Sequence, residues 1–243
     1  MIDFKTLASG SSGNAYIVDD GHTRLLLEAG IRIAELRKRA GFSLSGIEAC
    51  LITHEHGDHA CGVKDVMKAG IDCFMSAGTL KALNVTGHRL PLLLESKQQF
   101  KVGTWTILPF DTVHDAAEPL GFLLVNQAGE KLLFATDTAY ISYRFKGLTH
   151  IALEANFAPS VLKENVAQGH VSPDVAKKLY GRHMSIDAVK KFLAANDLSR
   201  VQEIQLLHLS DQNSDAGKFQ SEIETQTGKP VYIADSLNKG GFQ

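Results

Sequence analysis

Residues 47–59 read IEACLITHEHGDH, an apolar run that ends in three histidines, a glutamate and an aspartate within six positions. A short apolar run bounded by polar groups reads as a buried strand. Titratable side chains at the end of such a strand are costly to bury unless something pairs with them. In an extended strand, residues two apart point the same way, so His54 and His56 can converge on one ion. Gly57 is expected to allow the sharp turn that brings Asp58 and His59 round toward a second ion. Neutral imidazole and carboxylate suit borderline and hard divalent cations such as zinc, manganese or iron(II). One such cluster cannot complete two coordination shells. Three further candidates each follow an apolar run directly: His114 in DTVHDA, Asp137 in FATDTAY and His208 in LLHLSD. An aspartate is the natural bridging ligand, since each of its oxygens can bind one ion.

The rest of the chain supplies a frame for these groups. NAYIVDD, TRLLLEAG and IEACLITH read as strands, and IRIAELRKRAG between the last two places Ile31, Ile33, Ala34 and Leu36 at helical spacing before Gly41. HACGVKDVMKAG predicts a helix with Val63, Val66 and Met67 on one face, and Cys61 is read as a small core residue of it. FKVGTWTILPF and GFLLVNQAGEKLLFATD turn to β-structure, with a hairpin signal at NQAGE. The last third alternates strand (HIALEAN), helix (SIDAVKKFLAAND), strand (VQEIQLLHLS), helix (DAGKFQSEIETQTG) and strand (PVYIAD). Two blocks of strands, each with helices to cover it, predict a layered α/β (α+β) chain whose sheets pack face to face. Its 243 residues, 44% of them hydrophobic, suit a single domain over 1–243.

Several classes are disfavoured. No apolar run is long enough to span a membrane, and MIDFKTLASG lacks the basic and apolar regions of a secretory leader. Cys50, Cys61 and Cys73 are odd in number and form no C-x-x-C pair, which favours a reducing, cytoplasmic setting over a disulfide framework. The net charge of −2 gives no global pull toward nucleic acid. A local basic segment exists over 160–200. There Lys163, Lys177, Lys178, Arg182, Lys190, Lys191 and Arg200 stand against Glu164, Asp174, Asp187 and Asp197, seven against four, or +3. Such residues serve either as solvated helix faces or as phosphate contacts.

THEHGDH, with the later His, Asp and His in the same order, resembles the metallo-β-lactamase superfamily over nearly the whole chain. That resemblance implies a four-layer αββα sandwich, two packed mixed sheets flanked by helices, with a site for two divalent metal ions (Zn or Mn) along one edge. His54, His56 and His114 would hold the first ion and Asp58, His59 and His208 the second, with Asp137 bridging. LLLEAG looks like the strand that usually ends in Asp and Gly, so Glu28 stands where an aspartate is usual and would support a ligand. A lactam-cleaving role is disfavoured, since no cysteine stands where such enzymes often supply a ligand.

Two features resemble the YycJ/WalJ-type phosphodiesterase and exonuclease branch. One is the opening LASGSSGNAYIV, whose Ser9, Ser11, Ser12 and Asn14 form a glycine-spaced polar loop that either holds a phosphate or is a plain turn. The other is the tail LEANFAPS…GRHMSIDAVKKFL…LLHLSDQNSD, also similar to that of the tRNA 3′-processing ribonuclease Z. It implies Glu154 and His183 as a proton-transfer pair, with Ser185 and Ser210 beside them as substrate contacts. His170, in GHVSP, mimics the motif, but it lies 38 residues before His208, whereas His183 lies 25 before it, the length of one helix–strand unit. Phe157 stands where a loop histidine is common.

The expected chemistry is hydrolysis of a phosphodiester by a water activated between two cations. Asp58 would be ligand and orienter, and His183, fixed by Glu154, the general acid. DNA is favoured over RNA as substrate. The alternative is a small substrate: a cyclic phosphodiester, a thioester or a lactone.

Overall fold

The computed structural model describes residues 1–86 and 90–234. The chain divides into two compact units. The first comprises Met1–Asp111 with Ala116–Glu130. It carries β1 (Asp3–Ala8), β2 (Ala15–Asp19), β3 (Arg24–Leu27), α1 (Ile33–Arg39), β4 (Ile47–Leu51), α2 (Gly57–Ala60), α3 (Val63–Lys68), β5 (Asp72–Ser76), α4 (Ala77–Leu83), β6 (Leu92–Leu94), β7 (Phe100–Val102), β8 (Trp105–Asp111) and β9 (Leu120–Val125). Strands β1 to β6 lie side by side in chain order, antiparallel from β1 to β3 and parallel from β3 to β6. β7, β8 and β9 form an antiparallel meander. The amphipathic spacing read from the sequence is what packs this unit. Leu36 of α1 and Val63, Val66 and Met67 of α3 are buried in one cluster with Leu26, Cys50, Ile52 and Cys73.

The second unit comprises Thr112–Asp115 with Lys131–Ile233. It carries β10 (Lys131–Ala135), β11 (His150–Glu154), α5 (Pro159–Ala167), α6 (Pro173–Arg182), α7 (Ile186–Ala194), β12 (Glu203–Leu207), α8 (Ala216–Thr227) and β13 (Val231–Ile233). Its four strands are parallel, which explains their near-continuous apolar sequences. Ile186, Val189, Phe192 and Leu193 of α7 and Phe219 and Ile223 of α8 are buried. By contrast, α6 buries no residue.

Strand register sets the chemistry of the second unit. Ala135 pairs with Leu153, and Leu153 with Leu206. Asp137 and His208 therefore each follow two residues past one level of the sheet, on strands flanking the one that ends in Glu154. Asp137 (φ 47°) and His208 (φ 52°), like Glu28 (φ 64°) in the first unit, adopt left-handed backbone just past their strands. Non-glycine residues rarely adopt this conformation, and it concentrates at functional sites.

Three expectations are corrected. His54 and His56 lie beyond β4, in an irregular extended segment rather than within the strand. Gly57 makes no special turn. It is the first residue of α2, outside the positive-φ set, and a Cβ on it would meet nothing within 4 Å. The glycine that matters is Gly30, where a Cβ would fall 1.7 Å from the Asp58 carbonyl oxygen. Finally, Cys61 is exposed at the C-terminus of α2 instead of lying in the core.

Candidate metal centre

In the first unit the apolar strand β4 delivers the histidine segment, and main-chain bonds hold that segment in place. The Leu120 amide donates to the Thr53 carbonyl at 3.0 Å, and the His59 amide to the His56 carbonyl at 2.9 Å. Thr53 Oγ1 lies 2.9 Å from His54 Nδ1, which turns His54 Nε2 toward His56 Nδ1 at 3.1 Å. His54 and His59 are buried, with ring centroids 4.2 Å apart. His59 Nε2 is 3.4 Å from Asp58 Oδ2, while its Nδ1 faces Glu28 Oε1 at 3.6 Å. Glu28 is fully buried and accepts from the Thr53 amide at 3.3 Å. Burial raises its pKa, against the opposing influence of His59 and Thr53. A carboxylate behind one nitrogen of an imidazole orients the other nitrogen. Glu28 has the reach to do this where an aspartate would be shorter.

The sequence reading placed Asn14 at the substrate, but the residue is fully buried. Its amide nitrogen lies 3.1 Å from the Gly10 carbonyl, 3.2 Å from the Asp58 carbonyl and 3.2 Å from His59 Nε2. Asn14 Oδ1 accepts from the Gly10 amide and the Tyr16 hydroxyl, both at 3.0 Å. Asn14 thus braces the Asp58–His59 segment against the serine loop. Ser9 Oγ bonds the Tyr16 hydroxyl at 2.8 Å, while Ser11 and Ser12 are exposed.

In the second unit His114, Asp137, Glu154, His183 and His208 come together. One ligand atom from each of Asp137, Glu154, His183 and His208 lies within 4.8 Å of the others. His114 Nδ1 is 2.8 Å from the Arg182 carbonyl, leaving Nε2 directed at Asp137 Oδ2, 3.5 Å away. Burial lowers the pKa of His114 despite the opposing charge of Asp137, which favours the neutral ring that a metal requires. His208 Nδ1 lies 3.5 Å from Asp137 Oδ1 and 3.1 Å from the Asn156 amide nitrogen, a contact the sequence did not reveal.

Glu154 is the hub of this unit. It is fully buried. Its Oε1 lies 2.6 Å from His183 Nδ1, and its Oε2 accepts from the amides of Thr138 at 3.0 Å and Met184 at 3.1 Å. Burial acts to raise the Glu154 pKa, but the facing His183 outweighs it and the net direction is down. For His183 burial acts downward, yet the charge and hydrogen bond of Glu154 prevail and hold the imidazolium form to higher pH. It is His183, not the exposed His170, that meets Glu154. Ser185 caps α7 by accepting from the Ala188 amide at 3.2 Å, and Ser210 Oγ accepts from the Asn213 amide at 3.2 Å. Phe157 is buried with Leu162 and Val171 against the edge of Tyr180, and its carbonyl accepts from the Ile186 amide at 2.9 Å. It therefore anchors the segment that carries His183.

Comparison with known proteins places the chain in a family. The sequence model of the β-lactamase superfamily domain matches residues 23–205, three quarters of the chain. The chain belongs to the β-lactamase superfamily. Among curated members it is 28% identical over 239 residues to exodeoxyribonuclease YycJ of Bacillus anthracis, covering 83% of this chain and 89% of that one. It is likewise 28% identical over 225 residues to exodeoxyribonuclease WalJ of Streptococcus pneumoniae serotype 2, covering 87% and 82%. Of solved structures, the metallo-β-lactamase fold protein YhfI of Bacillus subtilis superposes with a TM-score of 0.71 at 15% identity, over 97% of this chain and 98% of that one. The fold is accordingly that of the superfamily, mixed α/β with two mixed sheets flanked by helices. With imidazole and carboxylate clusters at its strand ends, this member of the superfamily is a metal-dependent hydrolase. Among the described residues, no helix is long and apolar enough to cross a membrane.

Proposed function

We propose that the chain is a phosphodiesterase that degrades DNA from an end. The observation that carries the reading is the Glu154–His183 pair at 2.6 Å, set beside Asp137 and His208. A protonated imidazole held by a buried carboxylate is a general acid, and an alkoxide leaving group of a nucleotide needs one. The curated relatives named exodeoxyribonucleases support the choice of substrate.

The donor set fits divalent cations. Oriented imidazoles and buried carboxylates gathered at strand ends suit a cation, which offsets the cost of burying the carboxylate charge. Within the first unit His54, His56, Asp58 and His59 would be metal donors, and within the second His114, Asp137 and His208. When bound, the two ions supply Lewis-acid charge for the phosphate oxygens and lower the pKa of the attacking water. The protein's own residues do the rest. Asp58, a quarter exposed, orients the water. His183, whose ring keeps an exposed edge, gives its proton from Nε2 to the departing oxygen. Glu154 positions that ring. With both its oxygens already taken by His183, Thr138 and Met184, it is better suited to this task than to binding metal. Ser11 and Ser12 on their exposed loop, together with Lys177 and Lys178 on α6, would meet neighbouring phosphates. Lys190 and Arg182 are engaged instead with Glu222 and Asp115, each at 2.5 Å.

The test is an assay on 5′- and 3′-labelled single- and double-stranded DNA in Mn²⁺ or Zn²⁺, with elemental analysis of the bound metal. Stepwise, metal-dependent release of nucleotides from one end is expected. Two bound ions with no cleavage of any polynucleotide would overturn the reading in favour of a small ester or phosphodiester substrate.

A further inference from the structure

We propose that the cleft between the Tyr140–Arg144 loop and α7 is a nucleotide subsite. It would take one base and one phosphate of a single DNA strand next to the bond being cut. The inference rests on the nuclease reading above and adds to it where the strand runs. The cleft has a volume of about 240 Å³, below the range of pockets for drug-sized ligands and suited to a single planar base.

Its position is fixed by Glu154. One wall is the loop that begins at Thr138, whose amide donates to Glu154 Oε2. The floor begins at Met184, whose amide donates to the same oxygen. Both sides of the cleft thus start from the carboxylate that holds His183, and a strand with its departing oxygen at His183 can lay the adjoining nucleotide into it.

The lining suits that occupant. Met184, Ala188 and Phe192 form an apolar floor, with the small Ala188 leaving room above the helix. Tyr140 lines the cleft too, and with 54% of its surface exposed it offers a base an aromatic surface. Arg144 and Lys191 also line the cleft. Among the described residues neither has an acidic partner at ion-pair distance, so both are available to a phosphate. An aromatic face flanked by cations is the usual platform for single-stranded nucleic acid.

The wall is also built before any ligand arrives. The Thr138 hydroxyl donates to the Tyr140 carbonyl at 2.8 Å. At the loop's far end, the Phe145 amide donates to Asn196 Oδ1 at 2.9 Å, and the Asn196 amide nitrogen donates to the Phe192 carbonyl at 2.8 Å. These bonds hold the loop against α7, and a preformed cleft lowers the ordering cost of binding.

The experiment uses the full chain and two readouts. The first is fluorescence anisotropy of labelled oligothymidylate in chelator, where no cleavage intervenes. The second is turnover of bis(p-nitrophenyl) phosphate with metal, which needs no neighbouring nucleotide. Tyr140→Ala is expected to weaken oligonucleotide binding roughly tenfold. Arg144→Glu with Lys191→Glu should weaken it at least about tenfold and flatten its salt dependence. All variants should turn over the chromogenic ester within about twofold of the parent. Tyr140→Phe, which keeps the aromatic face, should bind like the parent; binding as weak as the Ala variant's would overturn the stacking role. If the parent binds and degrades oligonucleotides and the Ala and charge-reversal variants do the same, the subsite is wrong and the nuclease reading stands. If the parent neither binds nor degrades any oligonucleotide, both fall together.

Discussion

The two clusters of candidate ligands are assembled by different routes. In the first unit His54, His56, Asp58 and His59 come from six consecutive positions, and one short helix with a preceding extended segment sets their geometry. In the second unit His114, Asp137, Glu154, His183 and His208 span 95 residues, and only the parallel register of β10, β11 and β12 levels the last residues of those strands. The local cluster is held by packing against its backbone, at Gly30 and Asn14. The assembled cluster is held by one buried carboxylate, Glu154. A contiguous cluster is thus exposed to a change in the loop beneath it, and an assembled one to loss of its hub.

The sharpest way to break the comparison is to remove one ligand from each side. Asp58→Ala and Asp137→Ala should each lower kcat/KM on DNA by roughly 10³-fold or more, since each removes charge stabilisation at the reacting phosphate. Elemental analysis should show a lower metal content in both. If either variant retained full activity and both ions, its cluster would not belong to the metal centre.

Next in size is His183→Ala. It should slow DNA cleavage by about 10²- to 10⁴-fold. The same variant should cost much less on bis(p-nitrophenyl) phosphate, whose leaving group departs without a proton. Equal losses on both substrates would make His183 a structural or ligand residue rather than a general acid.

The supporting residues separate the clusters further. Gly30→Ala should destabilise the fold by about 1–3 kcal/mol or more, as an over-packed site does, read from the urea midpoint. Gly57→Ala should instead be neutral or slightly stabilising, by about 0.5–1 kcal/mol, because Gly57 is an uncrowded helical residue. If Gly57→Ala proved the more damaging, the account of which glycine shapes the cluster would be wrong.

The smallest effect is electrostatic. In the metal-free protein the raised His183 pKa contributes stability that is fully present below the ordinary histidine range and is lost as pH rises through the folded value. The lowered Glu154 pKa contributes stability present above the ordinary glutamate value of 4.5 and lost as pH falls through its folded value. Unfolding midpoints measured across pH in chelator should therefore fall on both the acid and the alkaline side of that window. Glu154→Gln should flatten both limbs, and an unchanged profile would mean that the pair is not ionised in the folded state.

Much of this was legible before any coordinates. The H-x-H-x-D-H spacing, the apolar runs before His114, Asp137 and His208, and the helix–strand count that selects His183 over His170 are all local patterns. Local patterns survive in a one-dimensional string because strand and helix periodicities are fixed by backbone geometry. The errors were also local. Gly57 looked like a hinge because glycine permits one, yet the helix begins there without needing it. Cys61 looked like core because cysteine is small and apolar, yet it caps an exposed turn. Asn14 sat in a polar loop and read as a substrate contact, when it is a buried brace.

By itself the sequence nominated the residues that could carry the chemistry, the alternation of strand and helix in its last third, and the family those patterns define. The tertiary structure alone decided that the carboxylate expected to hold His183 also anchors both walls of the Tyr140 cleft. It also decided that Gly30 rather than Gly57 admits the ligand backbone, and that three non-glycine residues turn left-handed just past their strands. The reason is physical: hydrogen bonds that one carboxylate accepts from amides 16 and 30 positions away, and contacts between backbones 28 positions apart, depend on which strands pair and in what register. No periodicity along the chain encodes that choice.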